Sequence, residues 1–217
     1  MKKIWMILTA LLLLSALLLS GAAAEEPDGG SIPGNRTLAE RLPRVRDVWD
    51  EQEAENYAIA LWPRISNDPL PEGSREVSFD KRDNSYHFLI KDENLCVLYT
   101  ASFLSNGVVQ EISSHEPATA AERHENVTYR DGPELEANRW DTARKQIAEQ
   151  AEELAPGILE QVEPLYVNDF RDYGDRQVLM VYASPLDPEC DTHLRIEVVL
   201  YQDDRCELKG FSIFDAD

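Results

Sequence analysis

The chain has 217 residues, of which 21 are basic and 41 acidic, so its formal net charge is −20. With 43% hydrophobic and 29% charged residues, its composition is that of a globular protein and excludes a wholly disordered chain. A surface this negative repels phosphate backbones and anionic lipid headgroups, which argues against nucleic acid as a ligand. Cationic partners, divalent metal ions and basic protein patches remain compatible with it.

The first 24 residues have the pattern of a secretory signal peptide. Lys2 and Lys3 precede an apolar run, and the small residues Ala22 and Ala24 form the predicted cleavage motif. Cleavage would remove two of the 21 basic residues and leave 19 against 41 acidic ones, a net charge of −22. The alternative is an uncleaved membrane anchor, because the apolar run is close to the ~20 residues that span a bilayer. The paired lysines look bacterial, so we expect a secreted or cell-envelope protein without membrane contact after cleavage.

A spacer and one helix are predicted at the start of the mature chain. Residues 25–36 are rich in Gly and Pro and predict a flexible spacer. Thr37 and Glu40 have the spacing of a capping box, and Pro43 either interrupts that helix or starts a new one. Apolar residues recurring from 44 to 62 predict one amphipathic helix.

Strands follow this helix, and the same order recurs later in the chain. Alternating apolar residues predict strands over 75–80, 86–91, 96–104 and 108–114, with a two-residue hairpin turn at Asn106-Gly107. A linker over 116–132, with a short strand at 127–129, leads to a helix over 133–154. The last predicted strands are 164–170, 176–183, 192–202 and 206–214, the final two joined by a turn at Asp203-Asp204.

This repetition predicts an α+β fold of two tandem units, 37–115 and 133–217. Each unit would pack one helix on its own four-stranded antiparallel sheet, leaving the other face of that sheet open. Trp49-Asp50 and Trp140-Asp141 occupy similar places near the two helices. We expect Trp49, Trp62 and Trp140 to anchor the core where helix meets sheet.

The last hairpin indicates which face of the second sheet is open. Leu194, Ile196, Val198 and Leu200 alternate along one strand and would form the core side, opposite Phe211 and Ile213. The other side would carry Arg195, Glu197 and Tyr201, with Leu208, Gly210 and Ser212 from the last strand. Such a mixed surface is either a solvated sheet face or an interaction face built on Arg195, Glu197 and Tyr201.

The sequence contains no recognisable catalytic motif. It lacks G-x-S-x-G, H-E-x-x-H, a P-loop and C-x-x-C, so we predict a protein that is not an enzyme and has no cofactor or metal site. His115 and His124 fall in or beside the linker and are expected to be solvated. Cys96, Cys190 and Cys206 allow at most one disulfide. Cys190 and Cys206 would lie at opposite ends of a hairpin, too far apart to pair.

Two similarities to known families support a binding role. A helix followed by four strands resembles the cystatin-like and PepSY-type extracytoplasmic domains, and the segment Ser105-Asn-Gly-Val-Val-Gln-Glu111 is similar to the turn-and-strand ending of PepSY domains. The second unit departs from this ending, with Asp204-Arg205-Cys206-Glu207 in its place. The tandem layout resembles that of β-lactamase inhibitory proteins. The PepSY resemblance implies an accessory or protease-modulating domain at the cell envelope without catalytic residues.

Three functions follow from these observations. The first is a non-enzymatic binding or inhibitory module that holds a protein, a peptide or a cell-wall component on an open sheet face. The second is an extracytoplasmic hydrolase with a cleft between the two units, which would need convergent carboxylates or histidines there. The third is a protein that responds to divalent cations, suggested by its charge.

Overall fold

The computed structural model describes residues 37–115, 128–131, 137–173 and 176–215. The predicted signal peptide with Ala22 and Ala24, the spacer, His124 and most of the linker lie outside these residues. The helices are α1 (Leu38–Arg41), α2 (Glu51–Leu61) and α3 (Ala137–Leu154). The strands are β1 (Ser74–Asp80), β2 (Ser85–Lys91), β3 (Val97–Leu104), β4 (Val109–Ser114), β5 (Thr128–Asp131), β6 (Tyr166–Asp172), β7 (Arg176–Ala183), β8 (Thr192–Tyr201) and β9 (Cys206–Asp215). Short 3-10 helices cover Trp62–Arg64 and Ile158–Glu160.

The nine strands form one antiparallel sheet in the order β1-β2-β3-β4-β9-β8-β7-β6-β5. The prediction of two units, each with its own four-stranded sheet, is therefore wrong. β4 pairs with β9, placing Glu111 opposite Ser212 and Ile112 opposite Phe211. Each meander would otherwise end in an edge strand with unpaired N–H and C=O groups, and the pairing satisfies both edges. β5 pairs with β6 and extends the sheet on its far side.

Two helices cover one face of this sheet. α2 lies on β1 and β2, and α3 lies on β8 and β9. The Tyr99 hydroxyl donates to the Ala58 carbonyl at 2.6 Å, and the ring of Tyr57 packs edge-on against Phe103 with centroids 4.8 Å apart. The apolar side of α3 joins the same continuous core with Ala143, Ile147, Ala151 and Leu154. The helix-covered side is called the inner face below, and the opposite side the outer face.

The first predicted helix is divided by an extended segment. The capping box of Thr37 and Glu40 is confirmed, but it caps only α1. Residues 43–49 are not helical, so the prediction of a helix over 44–62 is wrong in its first turns. The backbone N–H groups of Val45 and Arg46 donate to the Asn106 carbonyl, each at 3.0 Å, which holds the segment against the β3–β4 turn. Local helical pattern thus yields to hydrogen bonds with a distant turn.

The helix resumes where a side chain can cap it. The Asp50 carboxylate accepts from the Glu53 backbone N–H at 2.8 Å and starts α2. The short α1 packs against the last strands, since the Leu38 N–H donates to Thr192 Oγ1 at 2.7 Å. This contact ties the start of the described chain to the second meander.

Both predicted hairpins have three-residue turns instead of two. The β3–β4 turn covers 105–107 and the β8–β9 turn 202–204, and the third residue takes a positive φ in each, +79° at Gly107 and +62° at Asp204. A register shift follows in each strand pair. In β8–β9 this shift turns Leu208 into the core, where it is buried, so its predicted outward position is wrong. Beyond the shift, Leu194 pairs with Ile213 and Ile196 with Phe211, which confirms the prediction that these residues share the core side.

Candidate interaction face

The outer face carries a line of directly opposed side chains across eight strands. From β1 to β6, and in spatial order, this cross-sheet row consists of Ser78, His87, Ser102, Glu111, Ser212, Arg195, Tyr182 and Tyr166. Residues directly opposite one another in antiparallel strands share a face, so the row is continuous. It crosses the β4–β9 junction and exists only because the two meanders form one sheet.

An aromatic cluster occupies one end of the cross-sheet row. The rings of Tyr166 and Tyr182 lie 6.4 Å apart, and Phe214 meets Tyr182 edge-on at 6.0 Å. The Arg195 guanidinium lies 5.5 Å from the Phe214 ring centroid, and His193 lies 6.0 Å from that ring. Tyr166 is 46% exposed and Arg195 is also exposed, whereas Tyr182, His193 and Phe214 are partly buried beside them. Aromatic rings and a stacked guanidinium are the groups most enriched in the energetic centres of binding surfaces.

Ser212 sits in the middle of the cross-sheet row with its hydroxyl unused. The residue is 7% exposed, and its Oγ is buried without a hydrogen-bond partner. Its cross-strand neighbours are Glu111 on one side and Arg195 on the other. Neither forms an ion pair within the part of the chain that the structure describes. A serine hydroxyl can donate one hydrogen bond and accept others, so this site can take either kind of polar group.

The three residues predicted from the sequence are separated by the structure. Arg195 and Glu197 are exposed neighbours on the outer face of β8. Tyr201 lies six residues further along, about 20 Å away at ~3.3 Å per residue. Its hydroxyl donates to Glu207 Oε2 at 2.8 Å, and the Arg205 guanidinium lies 4.1 Å from its ring. Burial, followed by the bond to Glu207, raises the pKa of Tyr201. Tyr201 therefore belongs to the hairpin end, whereas Arg195 belongs to the aromatic cluster.

Sequence reasoning missed Tyr166, Tyr182 and Phe214. A signal was present in β7, whose sequence RQVLMVYA is apolar on both faces instead of alternating. Leu179 and Val181 face the core, while Met180 and Tyr182 face outward and are partly exposed. An apolar outer face on a central strand of a one-sided sheet indicates a surface that a partner covers.

The expectation for the tryptophans is only partly correct. Trp62 is 7% exposed, and its indole N–H donates to the Asp68 carbonyl at 2.7 Å. Trp140 is half-buried and packs against the core. Trp49, however, is 74% exposed, so the prediction that it anchors the core is wrong. The segment 43–49, which is bonded to the β3–β4 turn through Val48, moves away from that turn at Trp49. Its extended backbone directs the indole to solvent.

The described residues contain one close serine–histidine pair on β2. Ser85 Oγ lies 3.2 Å from His87 Nε2, a distance at which a base could activate a nucleophile. Ser85 is only 1% exposed, so a substrate cannot reach its hydroxyl. Where the predicted cleft would fall, between α3 and residues Pro63 and Arg64, the structure has a groove lined by two carboxylates, Glu149 and Glu153, of which Glu153 pairs with Arg64.

The described ranges also bear on metal binding and on membrane insertion. They contain no group of three or more His, Cys, Asp or Glu residues placed to hold a metal ion. None of their helices combines the length and apolar character of a membrane span. Cys96 is exposed, Cys190 and Cys206 are buried, and all three thiols are free.

Comparison with known proteins assigns this chain to no family. No family model, no curated protein and no solved structure matches this chain. The resemblance to PepSY-type domains stays a prediction, and the geometry of the outer face is the basis for a function.

Proposed function

We propose that the protein is a non-enzymatic extracytoplasmic binding module, inhibitory or accessory in its action, at the bacterial cell envelope. Its outer face would hold a protein, a peptide or a cell-wall component. The proposal is supported by a sheet that is covered by helices on one face and carries aromatic side chains on the other. The signal-like start of the sequence supports the location.

The aromatic cluster beside the exposed Arg195 on the outer face is the observation that carries the proposal. The buried hydroxyl of Ser212 adds to it, because leaving such a group without a hydrogen-bond partner costs about 1–3 kcal/mol. Here the hydroxyl lies between Glu111 and Arg195, beside the aromatic cluster. A polar group of a ligand would reach this hydroxyl once the Ser212 side chain rotates, because the buried Oγ presents no surface in its present position.

The same geometry defines what the ligand must offer. Over Tyr182 and Phe214 it needs an apolar or flat surface, because these rings are partly exposed and already packed together. Over Ser212 it needs a donor or an acceptor, flanked by one negative and one positive side chain. A peptide backbone and a hydroxylated polymer both satisfy these conditions, whereas a polyanion is disfavoured by the net charge of −20.

Site-specific photocrosslinking tests this proposal. A photoreactive phenylalanine analogue replaces Tyr182, and a control protein carries it at Lys145, which is exposed on α3 on the covered side. Both are irradiated in envelope extract and in culture supernatant of the producing cells. We expect a discrete adduct from position 182 that Arg195→Ala diminishes, and none from position 145. Equal adducts from both positions, or none from position 182, would contradict the proposal.

A further inference from the structure

A second surface, on the helix side of the sheet, has a different chemistry. An open groove of about 710 Å³ lies between the start of α2 and the ends of β1 and β2. Trp49 is its most exposed aromatic residue, and Phe79, 38% exposed, packs on Tyr86 with ring centroids 4.7 Å apart. Two exposed aromatic rings beside one groove are typical of a surface that another molecule covers.

The backbone around Trp49 is held on both sides. Before it, the Val48 N–H donates to the Ser105 carbonyl at 2.9 Å. The N–H of Trp49 itself donates to Glu53 Oε2 at 2.9 Å, and Asp50 caps the helix that follows. The indole therefore projects from a fixed point, and binding to it requires little ordering of the main chain.

The charge of the groove has one sign. Its lining includes the carboxylates of Asp47, Asp50 and Glu51 and contains no Lys or Arg. Asp47 forms an ion pair with Arg44, which lies outside the lining, and one oxygen of Asp50 is used by the helix cap. Glu51 is exposed at the groove. Burial, and then the charges of Asp50 and Glu51, raise the pKa of Tyr86, which reflects a negative potential inside the groove.

We propose that this groove binds a basic polypeptide segment of a partner protein, with a Lys or Arg side chain on the Trp49 indole and its charge beside Glu51. A cation over an indole face is the strongest of the cation–π pairs in proteins, and the carboxylate adds charge complementarity. The groove is open, which suits a segment of chain better than a small cation, since small ligands are held in enclosed pockets. This site is distinct from the outer face and does not depend on the function proposed for that face.

A matched set of variants tests the proposal with a defined probe. The probe is a synthetic octapeptide of alternating Lys and Gly, measured by calorimetry and by Trp fluorescence in 0.15 M salt, and a Glu-Gly octapeptide is the charge control. Trp49→Ala should weaken binding by about 5- to 30-fold, and Glu51→Gln by about 2- to 5-fold. Leu186→Ala, an exposed apolar side chain that does not line the groove, and Glu93→Gln, an exposed acid in the β2–β3 turn, should leave the affinity within about 1.5-fold.

Folding controls and competing occupants complete the test. Trp49→Phe keeps a ring in place and should retain most of the affinity, and every variant is compared with wild type by circular dichroism and urea denaturation. Absence of peptide binding, or equal loss in Glu93→Gln and Glu51→Gln, would overturn the proposal, because the second result indicates diffuse attraction to a negative surface. Tetramethylammonium that binds as tightly as the peptide would indicate a small-ligand site instead. A dimer that Trp49→Ala dissociates would identify a second copy as the occupant, which also contradicts the proposal.

Discussion

Gly107 connects the β3–β4 turn to the segment that carries Trp49, and its substitution is the sharpest test of that contact. With φ at +79°, it occupies a conformation that costs an alanine about 1–2 kcal/mol. A Cβ there would also lie 2.6 Å from Arg46 Cγ and 2.9 Å from the backbone N and O of Arg46. The segment must then move away, which weakens the bonds from Val45, Arg46 and Val48 to the turn.

The expected loss follows from these two contributions. Each weakened backbone bond is worth about 0.5–1.5 kcal/mol, so Gly107→Ala should destabilise the fold by about 2–5 kcal/mol in total. That is a large part of the ~5–15 kcal/mol of a typical domain, and it should lower the urea midpoint by about 1–2 M. Urea denaturation followed by Trp fluorescence measures this change.

Two further substitutions separate strain from steric contact. Gly107→Asn introduces the same Cβ but tolerates positive φ, so it should fall between wild type and Gly107→Ala. Gly210→Ala is the matched control, because its Cβ would meet Glu197 Cβ at an ordinary 3.5 Å. We expect Gly210→Ala to change stability by less than about 0.5 kcal/mol. If Gly107→Ala were as mild as Gly210→Ala, the described contact between the turn and residues 45–48 would be refuted.

Two more predictions concern ionisable groups. Hydrogen bonds from the Glu189 N–H and then from Arg41 lower the pKa of Asp187. The stabilisation from these bonds is therefore complete above the unfolded-state pKa of about 3.9, and it is lost as the pH falls through the lower folded-state pKa. Arg41→Met should therefore be less stable than wild type at pH 7, and this difference should shrink as the pH falls below about 3.9; urea midpoints that differ equally at pH 7 and at pH 2 would contradict this. Burial raises the pKa of Cys206 to about 12. At pH 8 a disulfide reagent should therefore label exposed Cys96 first and Cys206 only after unfolding. Equal labelling rates for the two thiols in the native protein would contradict the described burial.

Most strands could be read from the sequence because their signals are local. Alternation in β8 and turn residues around Gly107 place the elements within a few positions of where the structure has them. The extended segment before Asp50 could not be read, because the carbonyl groups that hold it belong to a turn more than 50 residues away. The predicted outward position of Leu208 is wrong because no local sequence signal indicates the register shift in β9.

The single sheet was also beyond local reasoning. The sequence of a meander does not indicate which strand pairs with its last strand. The pairing of β4 with β9 therefore could not be predicted from either strand's sequence. The binding surface could not be predicted from the sequence either, because Glu111 and Ser212 become neighbours only through that pairing. Arg195 could be named from period two alone, whereas the unbonded hydroxyl beside it required the assembled sheet.

The pairing of β4 with β9 is most directly tested by an engineered disulfide between Glu111→Cys and Ser212→Cys, with the three native cysteines replaced by alanine. Directly opposed residues in antiparallel strands have Cα atoms about 4.5–5.5 Å apart, which suits a disulfide. Under mild oxidation we expect mass spectrometry to find the 111–212 crosslink in nearly all molecules. The control pair Ser102→Cys and Ser212→Cys lies two strands apart, about 9.6 Å, and should stay reduced. No crosslink between 111 and 212, or equal crosslinking of the control, would contradict a single sheet with a continuous outer face.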